Sequence, residues 1–443
     1  MAKLRRKLSS LMRGSLAKGA IGSLGLRLAS VAIAFVSSII LARLLGTTGL
    51  GSYAFALAVV ELLLVPAMFG MPTFLVREGS AGLHQHGGSY VRALANSALT
   101  LVLAVSTGIA ALLAGITGLF GHYLDQGMQQ PLLIALCMLP MLALLWTLEN
   151  LNRSSGHVVL AQIPNQLLRP SLILLLICVA ALSIDNMQAD MAIALTVIAS
   201  LLPLGLALLL WRRFRPATRP TDSSHRLTRR QIISAGTPFI IIATFSGLYS
   251  QTDILVLGLL AGADDTGLYR IASRLASFAA FPHMALMMAA GPLFAALKAK
   301  DERQELQRKL SQVIRIAFAG ALLIGTLLIV FSSYLLGIFG KDFLPAADTL
   351  TILCLQQAVA VLTLTLQTVL SLTGHERLAA KNMIFGALLN LGLNLLLIPP
   401  FGTEGAAMAT LLSTLLFGAV LAVQTKRKLG FLPAVRLSRG PRA

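Results

Sequence analysis

The sequence predicts an all-α membrane protein, with twelve transmembrane helices in two six-helix bundles related by a parallel pseudo-two-fold repeat. Three observations predict it. First, of 443 residues 56% are hydrophobic and 12% are charged, with a mean hydropathy of +0.81, outside the range of soluble domains. The apolar residues come in runs of about 20, the length a helix needs to cross a bilayer. Hydrocarbon offers backbone groups no partner, so helices are the default spanning element, and strand-period alternation is absent. Second, the loops alternate in charge. Third, a short pattern occurs twice: Gly46, Gly51 and Tyr53 recur as Gly262, Gly267 and Tyr269, and Gly156-His157 recurs as Gly374-His375 at nearly the same offset.

The spans run over 21–45, 51–76, 91–119, 131–151, 158–182, 190–211, 232–260, 267–296, 312–339, 348–373, 379–399 and 403–425. The outer end of 91–119 reads as a loop or short helix. Nearly all of the 36 Lys and Arg fall on one side, in the N-terminus, 77–92, 152–157, 212–231, 297–311, 374–381 and the C-terminus. Asp125, Asp185, Asp264, Asp265, Asp342 and Glu404 lie in or beside the opposite loops. By the positive-inside rule both termini are cytoplasmic, and the span number is even. The same distribution argues against nucleic acid as the partner for the net charge of +19. The domains are then a basic segment 1–20, a bundle 21–211, a basic linker 212–231, a second bundle 232–425 and a basic tail 426–443. With six spans per half, both halves enter from one side, and sites lie between such halves near mid-membrane.

Taken in order, residues 1–20 carry Lys3, Arg5, Arg6, Lys7, Arg13 and Lys18 among leucines at helical spacing, which suits an anionic lipid surface or a basic tail. The first apolar run is too long for a signal peptide and reads as an uncleaved span. Arg27 on that span either receives a phosphate or snorkels to the inner headgroups, and Arg43 anchors the outer end. Glu61 in the second span sits about 15 Å inward from Gly51, as a coupling-ion or proton site or as a helix-helix contact. Glu149 and Asn150 near the inner end of the fourth span read as structural or rim residues. Gln162, Gln166 and Arg169 form one polar face at i, i+4, i+7, on a helix that Pro164 and Pro170 bend.

Asp253 lies roughly 13 Å inside Gly262 on the seventh span, and Arg274 about 10 Å inside Gly267 on the eighth. Arg270 shares a face with Arg274. Acid and bases at similar depth form a salt bridge or part of a path for a charged species, and guanidinium forks suit phosphate oxygens. His283 reads as core packing. Thr363, Gln367 and Ser371 on the tenth span, and Gly386, Asn390 and Asn394 on the eleventh, repeat at four-residue intervals. Such faces line a wet cavity or join helices. Cys137, Cys178 and Cys354 fall in apolar runs and read as free thiols. No metal-ligand cluster, phosphate-binding glycine loop or nucleophile elbow occurs. No cofactor is expected, with Na+ or H+ as candidate coupling ions.

Three stretches carry a resemblance: LARLLGTTGLGSYAFA (41–56) with FGMPTFLVR (69–77), SQTDILVLGLLAGADDTGLYRIASRL (250–275), and LTGHERLAAKNMIFGALLNLGLNLLLIPPFGTEGAAMAT (372–410). Together they resemble the polysaccharide flippases, the O-antigen and exopolysaccharide branch of the multidrug/oligosaccharidyl-lipid/polysaccharide exporter superfamily. The resemblance implies a central cavity between the bundles. It also implies alternating access that moves an undecaprenyl-diphosphate-linked oligosaccharide between leaflets of the bacterial inner membrane. Cavity arginines would then hold diphosphate or acidic sugar and acids would serve an ion-coupled cycle; Asp253, Arg270 and Arg274 match by position. The family often has an Arg where this chain has Gly258-Leu259, which sets Arg43 apart from any symmetric role. Anionic lipids and polysaccharide polymerase machinery are candidate partners.

Competing readings are an ion-coupled drug exporter of the same superfamily, a lipid II flippase, and a membrane glycosyltransferase or polymerase. Residues 21–45 lack the acid expected of the first. The chain lacks room for the two further spans usual in the second. The third would need larger outer loops, so a non-enzyme is expected.

Overall fold

The computed structural model describes residues 15–121, 125, 127–183, 186–217, 229–299, 302–372 and 374–429. Most of the basic N-terminal segment, the middle of the linker and residues 430–443 of the basic tail lie outside the described residues. Among those described, the chain is helical throughout, without strands. Among the described residues, eight helical stretches are long and apolar enough to cross a membrane, some of them joining two of the helices below.

The helices are α1 (15–45), α2 (47–67), α3 (Met71–Gln85), α4 (Gly88–Phe120), α5 (Gln129–Leu136), α6 (Met138–Ser154), α7 (Val158–Ile163), α8 (Arg169–Ser183) and α9 (Ala189–Phe214). They continue as α10 (Arg229–Leu260), α11 (Ala263–Ala276), α12 (Phe281–Ala299), α13 (Arg303–Val330), α14 (Ser332–Phe339), α15 (Ala347–Leu372), α16 (376–401) and α17 (403–429). The breaks between α1 and α2 and between α16 and α17 each fall on one glycine with positive φ, Gly46 at 64° and Gly402 at 53°.

Several elements differ from the sequence reading. The second span ends at Ala67, where Phe69 and Gly70, both at positive φ, turn the chain into the separate helix α3. The outer part of 91–119 is helical to Phe120. Helix α13 begins at Arg303, well before the predicted span, because its first turns are amphipathic and extend the helix beyond its apolar part.

The chain divides into two compact units, one of 1–45 and 56–244, the other of 46–55 and 245–443. In the first, α6 is apolar over its N-terminal half and packs against α9, α4 and α3; Leu139, Leu142, Leu145 and Leu148 are buried there. Leucines such as Leu112, Leu119 and Leu182 stay exposed, as helices solvated by hydrocarbon allow. In the second unit α15 packs against α16, α17, α13 and α11.

The repeated patterns adopt repeated geometry. Gly46 and Gly262 share one backbone conformation, φ 64°, ψ −170° and φ 91°, ψ −174°. Gly156 and Gly374 have φ 91° and 86°. After them His157 N–H bonds Asn152 O at 3.3 Å, and His375 N–H bonds Leu370 O at 3.1 Å. Within the second unit the two tyrosine motifs also meet. A Cβ on Gly51 would fall on the Ala263 carbonyl and lie 2.9 Å from Gly267 N, while a Cβ on Gly267 would fall on the Thr47 carbonyl. Each helix approaches through the other's missing side chain. Asp264 accepts from Thr47 and Thr48 beside this crossing.

Candidate functional site

Asp253 is the centre of a polar core inside the second unit. It sits on α10 at a depth where charge is costly. Its carboxylate accepts from four neutral side chains on three other helices. Tyr269 Oη on α11 donates to Oδ2 at 2.6 Å, and Thr410 Oγ1 on α17 to Oδ2 at 2.8 Å. Asn394 Nδ2 and Asn390 Nδ2 on α16 donate to Oδ1 at 2.8 and 3.5 Å. The i, i+4 spacing of Asn390 and Asn394 places both amides on one face of α16.

A second layer surrounds the first. Asn390 Nδ2 also reaches Thr410 Oγ1 and Ser413 Oγ at 3.4 and 3.3 Å. Thr414 Oγ1 lies 3.2 Å from Tyr249 Oη and receives Gln356 Nε2 at 3.1 Å. Asn390 and Asn394 are fully buried, yet their oxygens, Asn390 Oδ1 and Asn394 Oδ1, take no donor. Buried acceptors left unmet cost about 1–3 kcal/mol each and call for an explanation.

Of the two alternatives for Asp253 with Arg270 and Arg274, the ion pair is absent among the described residues: every partner of Asp253 is neutral. The reason is helical phase. At about 100° per residue, Arg270 stands one step from Tyr269, and Arg274 about 140° from it, so the face that reaches Asp253 carries neither arginine. Both arginines are half-buried. Arg270 has no ion pair among the described residues. Arg27 and Glu61 are exposed on α1 and α2. Gln367 Nε2 donates to Ala379 O at 2.8 Å, joining α15 to α16.

In the first unit the predicted face of Gln162, Gln166 and Arg169 is split. Pro164–Leu168 is a π-turn, closed by Arg169 N–H on Pro164 O. Pro170 has no N–H to offer the Gln166 carbonyl, and the ladder widens by one residue ahead of it. The added residue rotates the rest of the helix. Gln162 Nε2 donates to Ser23 Oγ at 2.9 Å on α1, whereas Arg169 Nε donates to Ser200 Oγ on α9 at 3.2 Å. The π-turn also brings Asn165 Nδ2 to within 3.1 Å of Glu149 Oε2, and Glu149 is buried. In the sequence, Pro164 and Pro170 are the only sign of that contact.

Metal-type clusters of three or more His, Cys, Asp or Glu are absent among the described residues. His283 Nε2 lies 3.1 Å from Thr365 Oγ1 in the packed interior, and the three cysteines are free.

Comparison with known proteins places the chain. The sequence model of a polysaccharide biosynthesis protein family matches residues 16–298, and a second, MatE, matches 238–396. Two Haloferax volcanii proteins are similar in part. The probable low-salt glycan biosynthesis flippase Agl15 is 27% identical over 177 residues, 40% of this chain and 38% of its own. The probable flippase AglR is 28% identical over 186 residues, 41% and 38%. The matched stretch thus spans under two fifths of either relative. Among solved structures, an inward-facing multidrug resistance MATE family transporter of the MOP superfamily superposes with TM-score 0.73 at 15% identity, covering 93% of this chain and 98% of that one. The lipid II flippase MurJ, inward closed, superposes with TM-score 0.71 at 14% identity, covering 93% and 87%. At such identities the likeness is one of fold.

Proposed function

From a chain that belongs to the polysaccharide biosynthesis protein family, its matched segment covering more than half of the sequence, we propose an ion-coupled flippase. It moves an undecaprenyl-diphosphate-linked oligosaccharide from the inner to the outer leaflet of a bacterial inner membrane, for cell-surface polysaccharide synthesis. It is a transporter and not an enzyme. Twelve spans form two six-helix bundles around a central cavity, with both termini cytoplasmic and the basic segments on anionic lipid.

The observation that carries the coupling is Asp253. Its carboxylate sits inside the second unit among neutral donors, with no counter-charge among them. An ionised acid in that setting is costly unless a cation joins it. The residues fit a proton or Na+: the surrounding donor set is oxygen-rich, and Asn390 Oδ1 and Asn394 Oδ1 await a partner. Na+ beside Asp253 would meet both of those oxygens, and a proton on its carboxyl one of them. Arg270 and Arg274, with Arg27 and Arg169, are assigned to the diphosphate or acidic sugar, because forked donors match phosphate oxygens.

The MatE match over 238–396 includes Asp253 and keeps ion-coupled drug export as the second reading. A flippase-null strain that accumulates lipid-linked repeat units separates the two. Expression of this chain restores surface polysaccharide under the first reading. Under the second it restores nothing and raises drug resistance instead.

A further inference from the structure

We propose that Glu149 is a proton-binding site of the first unit, separate from Asp253 and built by the π-turn 164–168. Glu149 is 5% exposed and lies on α6 inside a helix long and apolar enough to span the membrane. Its one hydrogen-bond donor among the described residues is Asn165 Nδ2, 3.1 Å away. A buried carboxylate with a single neutral donor is poorly solvated, whereas a protonated carboxyl needs only about one acceptor and one donor.

The charged groups around it do not replace a proton. Arg153, one turn further along α6, is the charged group that acts on Glu149, and it is exposed at the helix end. On the elements packed against α6, Arg92 donates to Pro216 O, Arg169 to Ser200 Oγ, and Glu78 acts on Tyr90. Arg212 and Arg213 are exposed at the end of α9. His157 stacks on Phe214 with ring centroids 4.1 Å apart. A metal cation is disfavoured beside Arg153 by like charge, while a proton leaves the site neutral.

The π-turn is the second, independent feature. Such one-residue insertions occur often at functional positions, and this one carries Asn165 to the carboxyl. One residue on, Gln166 Oε1 is buried without a donor. The bound proton and the widened turn therefore form one device: proton loss leaves a carboxylate that demands more donors from the same segment.

Infrared difference spectroscopy on the full chain in liposomes tests this, across the pH range in which its helix content is unchanged. The expected result is a carboxylic-acid C=O band at neutral pH that is lost in Glu149→Gln and kept in Asp253→Asn. In Asn165→Ala the band should persist at higher frequency, with one hydrogen bond fewer. Binding of 22Na+ should be the same in Glu149→Gln as in the parent chain. A Glu149→Gln spectrum identical to the parent at every pH overturns the proposal, and so does loss of 22Na+ binding in that variant. Because Asp253→Asn is measured alongside, failure here is distinguishable from failure of the coupling role given to Asp253.

Discussion

Asp253 shows what one residue discloses and what it withholds. An acid within an apolar run stands out in the sequence. Its partners do not. Tyr, Asn and Thr are common in such helices, and which of them reaches the carboxyl depends on helix rotation, which composition does not fix. Glu149 was legible as a structural or rim acid, but its hydrogen bond to Asn165 was not, since the two lie on different helical segments. Two predictions belong to this scale. Asp253→Asn should insert and fold normally, keep its neighbours hydrogen-bonded, and lose the stimulation of export by an imposed Na+ or H+ gradient; retained stimulation removes Asp253 from coupling. Asp265, beside Gly402, has its pKa raised by burial and by the Asp264 carboxylate. An acid raised in the folded state binds more protons folded than unfolded, so its contribution to stability falls as pH rises from the ordinary aspartate value through the raised one. Asp265→Asn should flatten that decline in thermal-unfolding curves recorded against pH.

At the scale of the element, the spacing of apolar residues gave the helices, and two glycine motifs gave their turns. Besides the break at Phe69 and Gly70 and the early start of α13, the π-turn remained hidden, since a proline pair marks a bend but not its register. Pro170→Ala restores an N–H to the ladder and should return 164–168 toward α-geometry. Chemical shifts of Asn165 and Gln166 in a labelled sample should then move toward α-helical values, with Leu182 unaffected. The glycines divide by what surrounds them. Gly51→Ala or Gly267→Ala drives a methyl into backbone that cannot yield, and overpacking of this kind costs about 1–3 kcal/mol or more. Gly108 and Gly115 have nothing near a new Cβ, so alanine there should leave melting temperature unchanged or slightly higher. Equal effects at all four positions would refute the close crossing.

At the scale of the whole molecule, composition announced a membrane protein, and charge predicts its sides. Single cysteines should respect that assignment. Thr48→Cys and Asp342→Cys should label in intact cells with a membrane-impermeant maleimide, and His86→Cys and Glu305→Cys only after lysis. The reverse pattern would invert the topology. The crossing at Gly51 and Gly267 bears on the history of the chain. Each glycine makes room for main chain on the other copy, and main chain is the one part of a protein that substitution cannot trim. A change at one of these glycines therefore has no remedy in a smaller residue at the other, which is already glycine.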